Sequence, residues 1–341
     1  MITVIIPTTN RPNYLRTALE SVQRQTALAR ITEILVSENA GDRTSENVCK
    51  EFPTLPIRYI FRDPPVDGLQ HGDLLIREAT NQFIAILHDD DWWSQHHLAA
   101  AMELLDSQPN VVATFSHLFE TFDPSGFFQV PPRLWLLWVA VGRSFRRPHQ
   151  VLTAEQVLLG GLLMSCFHFS TLVARAGPLR AASVKVVESG NDYDIDRLYG
   201  PFLGEFGSVG YLTEPHTFVR IHPNQDGRRP AMMTTSADGL PRWMVRMKET
   251  TRDLRARYPE TMSRAAALFN SSLAELPREQ AEWISSLIPA PIRSLLEGEC
   301  GFRLSVPKLS GIRAVVRQCC PPILLNPIRG VMRVVAGSRQ M

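Results

Sequence analysis

Cysteine, net charge and long apolar runs are all scarce in this chain. Its five cysteines show neither disulfide-framework nor metal-ligand spacing, and the adjacent Cys319 and Cys320 would bridge each other only with strain. That argues against a disulfide-stapled scaffold and points to a reducing, cytoplasmic compartment. Formal net charge is only +2, from 36 basic and 34 acidic side chains in 341 residues, so no global field directs the chain to nucleic acid. The longest apolar runs, such as residues 134–141, fall well short of the roughly 18 residues that a membrane-spanning helix needs. The opening MITVIIPTTN has no basic stretch ahead of its apolar run and turns polar at Thr8, so it reads as a buried strand rather than a signal peptide.

What is present is an α/β pattern with polar strand ends. With 44% hydrophobic and 21% charged residues, the chain can bury a sizeable core. Thr3-Val4-Ile5-Ile6 is β-branched and ends at Pro7; Leu15, Ala18, Leu19 and Val22 then recur as one face of a helix, with Pro12 near its first turn. Further strands are expected at 33–36, 57–60 and 83–87, and helices at 243–258 and 281–288. Strands alternating with helices imply parallel β-α-β units, whose ligands sit beyond the carboxyl ends of the strands. The clusters TTNR, SENAGD and HDDD all fall at such ends.

HDDD poses an electrostatic problem. Asp89, Asp90 and Asp91 are adjacent at the end of a buried strand, and carboxylates so close raise one another's pKa unless a cation is shared among them. A divalent ion with oxygen ligands, completed by substrate phosphates, is one solution; a solvated turn or a helix cap is the plainer alternative.

The segments VIIPTTNRPNYLRTALESVQRQT, EILVSENAGD and FIAILHDDDWW, in this order and spacing, resemble the inverting glycosyltransferases of family two, which have the GT-A fold. The resemblance runs over most of residues 2–225. It implies a mixed, mostly parallel sheet flanked by helices. Residues 1–115 would form the nucleotide-sugar-binding half, 116–228 the acceptor-side half of the same catalytic domain, and 229–341 a C-terminal helical extension. It implies metal-dependent transfer of a sugar from a nucleotide-diphosphate donor to a saccharide or lipid-linked acceptor, with Mn2+ or Mg2+ as cofactor. By position, Pro7, Thr8, Thr9 and Arg11 would line the nucleotide pocket and Glu38 would bond the base or ribose. Asp90, with Asp91, would hold the metal. His88 stands where the family commonly has an acid, which shifts the ribose contact to Asp89. Gly72-Asp73 stands where an Arg-Asn pair is frequent.

ESGNDYDIDRLYG resembles the family's acidic acceptor-side motif, with Asn191 where glutamate is usual. The resemblance makes Asp192 the general base, a role that requires a carboxylate positioned on the acceptor hydroxyl. Asp192 and Asp196 share a helix face at i, i+4, so an acidic first turn favoured by the helix dipole is the competing reading. FVRIHPNQDG resembles the family's Arg-x-His segment with a following asparagine. Arg220 would then neutralise phosphate, His222 would ligate the metal or donate to the leaving diphosphate, and Asn224 follows.

Two stretches remain outside these motifs. The aromatic segment 127–138 would line the acceptor pocket or belong to the core. The end of the chain after Glu299 has no acidic residue and carries Arg303, Lys308, Arg313, Arg317, Arg329, Arg333 and Arg339 among apolar residues. It is expected either to make peripheral contact with an anionic membrane at the inner face or to form a packed or partly disordered terminus. A sugar-phosphate nucleotidyltransferase is disfavoured because PTTNRPNYL holds no glycine. A protein that keeps the fold without turnover is the alternative that His88, Gly72 and Asn191 leave open.

Overall fold

The computed structural model describes residues 1–122, 127–129, 148–163, 167–190, 195–222, 225, 235–236 and 239–304. The first 304 residues form one compact unit. Its strands are β1 (Ile2–Thr8), β2 (Ile31–Asn39), β3 (Ile57–Arg62), β4 (Phe83–Ile86), β5 (Trp92–Trp93), β6 (Val111–Phe122), β7 (Phe127–Gln129), β8 (His149–Leu152), β9 (Val173–Arg175) and β10 (Ser208–Ile221). All belong to one sheet of order β3-β2-β1-β4-β9-β6-β10-β5, with β7 beside β6 and β8 beside β10.

The alternation of β1 with α1 (Pro12–Gln23) shows how the sequence builds this layer. Ile2, Val4 and Ile6 repeat every second residue and meet Leu15, Ala18, Leu19 and Val22 in one buried cluster. The intervening Ile5 is buried as well and, by the same repeat, serves the opposite face. Pro12 sits in the first turn of α1, where a missing N–H costs nothing. The helices α2 (Thr44–Lys50), α3 (Gly68–Glu78) and α4 (His97–Ser107) complete the first half, followed by α5 (Ala154–Leu162), α6 (Ala176–Glu188) and α7 (Asp196–Gly204).

Strand direction decides what reaches the functional edge. β1, β2, β3 and β4 are mutually parallel, and β6 and β10 are parallel to each other. β9 runs antiparallel to both β4 and β6. The reversal at β9 has two consequences: β10 points the same way as β1 and β4, so its C-terminal end joins theirs, and the turn that precedes β9 lies at that edge too.

The C-terminal helices α8 (Arg242–Arg257), α9 (Pro259–Ala274), α10 (Arg278–Ser286) and α11 (Ala290–Cys300) each begin at or just after a proline. Their anchor is Arg197, wholly buried in α7. Its guanidinium donates to Gly161 O at 2.6 Å and Leu162 O at 3.1 Å, and to Met247 O and Thr251 Oγ1 at 2.8 Å each, which joins α5, α7 and α8. Truncation would leave several buried carbonyls without a donor, so Arg197→Ala is expected to lower unfolding free energy by about 3–5 kcal/mol in denaturant titration. A loss below about 1 kcal/mol would contradict this reading of the anchor.

Asp73, at the position where an Arg-Asn pair is frequent in the family, is used structurally. It accepts from Ser183 Oγ at 2.8 Å and pairs with Arg77 at 2.7 Å, while Tyr199 donates to Ser183 at 3.1 Å. A side chain added at Gly72 would meet open space.

Candidate active site

Four chain segments converge at the carboxyl edge of the sheet. From the end of β1, Thr8 Oγ1 donates to Asp89 Oδ2 at 2.7 Å, and Arg11 Nη1 reaches Asp89 Oδ1 at 3.1 Å and Asp90 Oδ2 at 2.9 Å. From the end of β10, His222 Nε2 donates to Asp90 Oδ2 at 3.0 Å. Arg220 binds the turn twice through its own chain: its backbone N–H donates to Asp91 Oδ1 at 3.0 Å and its Nε to Asp90 O at 3.1 Å. The Arg220 guanidinium lies over the rings of Tyr14 and Trp92, 4.6 and 4.9 Å from their centroids, which holds a planar cation in place. Tyr14 also lies against His222, with ring centroids 5.0 Å apart.

The three carboxyls differ in ionisation, and burial explains most of it. Asp89 is pushed up to about 7 by burial and by the charge of Asp90, against the pull of Arg11 and Thr8. Asp91 lies well above the usual carboxylate range through burial and the same neighbour. Asp90 is buried too, yet its hydrogen bond from His222 and the charges of His88 and Arg11 more than offset that penalty and hold it below its ordinary value. Both side-chain bonds to the Asp90 carboxylate end on Oδ2, and among the described residues Oδ1 accepts none. An ionised carboxylate with an open oxygen beside an imidazole fits a Mg2+- or Mn2+-like ion. The Asp91 carboxyl is committed elsewhere, to Arg220 N–H and to Ser170 Oγ, which donates to Asp91 Oδ2 at 2.5 Å.

The end of β2 supplies the other half of the pocket. Glu38 is fully buried; Tyr59 donates to its Oε2 at 2.6 Å, while among the described residues Oε1 has no hydrogen-bond partner. Around it the two strand-end loops interlock: Thr9 Oγ1 donates to Asn39 O at 3.3 Å, and Asp42 N–H donates to Asn10 Oδ1 at 3.3 Å. Gly41 has φ +114°, and a Cβ there would stand 2.3 Å from Asn10 Oδ1 and 3.0 Å from Glu38 Oε1. Glycine is required on both counts. Pro7 pairs in register with Ser37 one step before Thr8 meets Glu38, which puts the two strand ends level.

Pro7, Thr8, Thr9, Arg11, Glu38, Asp89, Asp90, Asp91, Arg220 and His222 are therefore at one edge. Asp192, with Asn191 and Asp194, and Asn224 lie outside the described residues, as do the aromatic segment beyond residue 129 and the basic end of the chain after residue 304. Tyr14, Tyr59, Trp92, His168 and Ser170 were not singled out in the sequence. Tyr14 and Tyr59 could have been noticed as aromatic residues beside strand ends; His168 and Ser170 carried no local signal. Among the described residues no helix is long and apolar enough to cross a membrane.

Residues 3–164 match the family model described as Glycosyl transferase family 2. Glycosyltransferase GlyA of Streptococcus pneumoniae serotype 4 is 24% identical over 131 residues, which is 38% of this chain and 18% of that protein, so the chain spans under a fifth of the length of the curated relative it matches. The fold is similar to that of S. aureus TarS 1–349 in complex with UDP-GlcNAc, with a TM-score of 0.55 at 12% identity over 86% of this chain and 83% of that one. The same TarS fragment in complex with UDP gives a TM-score of 0.53, also at 12% identity, over 86% and 82% of the two chains. The family match over the β1 to α5 region and the sheet architecture shared with TarS agree with the edge geometry: residues 3–164 resemble glycosyl transferase family 2, and the fold is similar to the GT-A fold of such enzymes.

Proposed function

We propose that the protein transfers a sugar from a uridine-diphosphate donor to an acceptor hydroxyl, with inversion at the anomeric carbon and with a divalent ion at Asp90. The observation that carries this reading is the buried Oε1 of Glu38, without a hydrogen-bond partner among the described residues, at the same sheet edge as the carboxylate and cation cluster. A buried acceptor without a donor costs free energy unless a ligand supplies one. Tyr59 already occupies Oε2, which leaves a single acceptor oxygen. Uracil offers one imide N–H and suits that oxygen, whereas guanine presents two adjacent donors that need both oxygens. The TarS structures in complex with UDP and UDP-GlcNAc support the same class of donor.

Asp90, with Asp89 and His222 beside it, would hold the ion, which when bound stabilises negative charge developing on the diphosphate. Arg220, clamped between Tyr14 and Trp92, offers a planar cation to phosphate oxygens at no further ordering cost. Thr8 and Arg11 hold Asp89 in place while the nucleotide enters. Asp192 would take the acceptor proton as the acceptor oxygen attacks from the face opposite the diphosphate. The acceptor would be a saccharide or a lipid-linked saccharide.

Calorimetric titration with UDP and GDP in the presence of Mn2+ tests the donor assignment. The wild type is expected to favour UDP by at least about tenfold, and Glu38→Ala to weaken UDP binding about 10–100-fold, the range for loss of a hydrogen bond to a charged group. Equal affinity for the two nucleotides would overturn the role given to Glu38 and Tyr59.

A further inference from the structure

The HDDD turn has a second side that the donor site does not use. His88, Asp91 and His168 place one potential ligand atom each so that all lie within 4.8 Å of one another. Asp91 Oδ2 and His168 Nδ1 are 3.9 Å apart, too far for a hydrogen bond. That separation suits two ligands of one ion: with bonds of about 2.1 Å, ligand atoms stand about 3.4 Å apart at the tetrahedral angle and about 4.2 Å at most. The His88 and His168 rings meet edge to face, with centroids 5.6 Å apart.

One residue, Ser170, ties the three together through its hydroxyl and its backbone N–H. Ser170 Oγ accepts from His88 N–H at 3.1 Å and donates to Asp91 Oδ2 at 2.5 Å, and Ser170 N–H donates to His168 Nδ1 at 3.2 Å. Nδ1 of His168 is thus an acceptor with its lone pair directed at a neighbouring donor, the tautomer that an ion can take over in exchange for one long hydrogen bond. Asp91 is about 1% exposed and its other oxygen is fixed by Arg220 N–H, so the carboxylate is pre-oriented by its surroundings as metal ligands commonly are. Among the described residues, His168 is the only basic side chain within 4.0 Å of the Asp91 carboxyl.

The geometry points to a separate metal site: His88, Asp91 and His168 bind one zinc-class dication, Zn2+ or Co2+, with water at the remaining position and without need of nucleotide. Two imidazoles and one carboxylate select such ions over Mg2+, which prefers an all-oxygen shell, so this site and the Asp90 site differ in the ion they take. The ion would pin the HDDD turn to the segment before β9, and through Asp91 it would fix the backbone of Arg220.

The test is a titration of the metal-free full chain with Co2+ in the absence of nucleotide, followed by visible absorption. One equivalent is expected to give a saturable low-symmetry cobalt spectrum that Zn2+ abolishes and millimolar Mg2+ does not. His88→Asn and His168→Asn should each weaken Co2+ binding at least about tenfold, whereas Asp90→Asn should retain it even as it loses Mn2+-dependent UDP binding. No saturable spectrum in the wild type, a spectrum unaffected by both histidine variants, or one lost in Asp90→Asn would each overturn the assignment. Should the histidine variants fail to fold, the wild type decides alone. Its thermal midpoint should rise with Zn2+ and not with Mg2+, and the absence of a Zn2+-specific rise refutes the site.

Discussion

Asp90→Ala is expected to abolish Mn2+-dependent binding of UDP, a loss of at least about 100-fold, since even residues that merely support a metal ligand cost 10–100-fold when removed. Three adjacent carboxyls divide the labour. Burial and mutual repulsion raise Asp89 and Asp91, so neither is fully ionised at neutral pH unless a cation binds beside it. Of the three, Asp90 alone is held below its ordinary pKa, and among the described residues nothing bonds its Oδ1. Its removal deprives Arg11 and His222 of the acceptor they share, so the cationic side of the pocket loses its alignment at the same stroke. Titration calorimetry with and without Mn2+ distinguishes the outcomes: UDP affinity in the variant should no longer respond to the ion. A variant that still gains affinity on addition of Mn2+ would show that the ion is held by other groups.

Asp192→Asn is expected to reduce kcat by about 10²–10⁴-fold, the contribution typical of general base catalysis, and to leave UDP affinity within about twofold. The substitution keeps the size of the side chain and removes its basicity, so an effect on kcat without one on binding separates proton transfer from packing. Asp192 lies in the short stretch between Gly190, at φ +65°, and Asp196, where α7 begins. The adjoining helix is fixed by Arg197, so the proposed acceptor side would depend on the C-terminal helices. Single-turnover transfer from a UDP-sugar to a saccharide acceptor reads the chemical step directly. The acidic limb of the wild-type pH–rate profile should disappear in the variant; full turnover in Asp192→Asn would mean another group accepts the proton.

Much of the donor half was legible because it is local. The stripe Leu15, Ala18, Leu19 and Val22 is wholly buried, and the three polar strand ends meet as the parallel arrangement requires. Expected strands at 33–36 and 57–60 lie within the longer β2 and β3. The direction of β9 was not legible. Its residues Val173, Ala174 and Arg175 are too few to carry a pattern, and orientation is set by pairing with β4 and β6, which are distant in sequence. That reversal places His168 and Ser170 beside the aspartates. Strand β10 also hid its extent: Pro215 reads as a break, yet β10 runs through it by shifting register against β6. Arg220 and His222 were therefore visible only through the family resemblance, while their contacts with Asp90 and Asp91 are a product of tertiary structure.

A crystal structure of the chain soaked with UDP and Mn2+, with the ion identified from its anomalous signal, is the most direct measurement of the central claim. The account predicts uracil N3 within hydrogen-bond distance of Glu38 Oε1 and the manganese on Asp90, bridging to diphosphate oxygens near Arg220. Nucleotide bound away from Glu38, or diphosphate seated with no ion on Asp90, would contradict it.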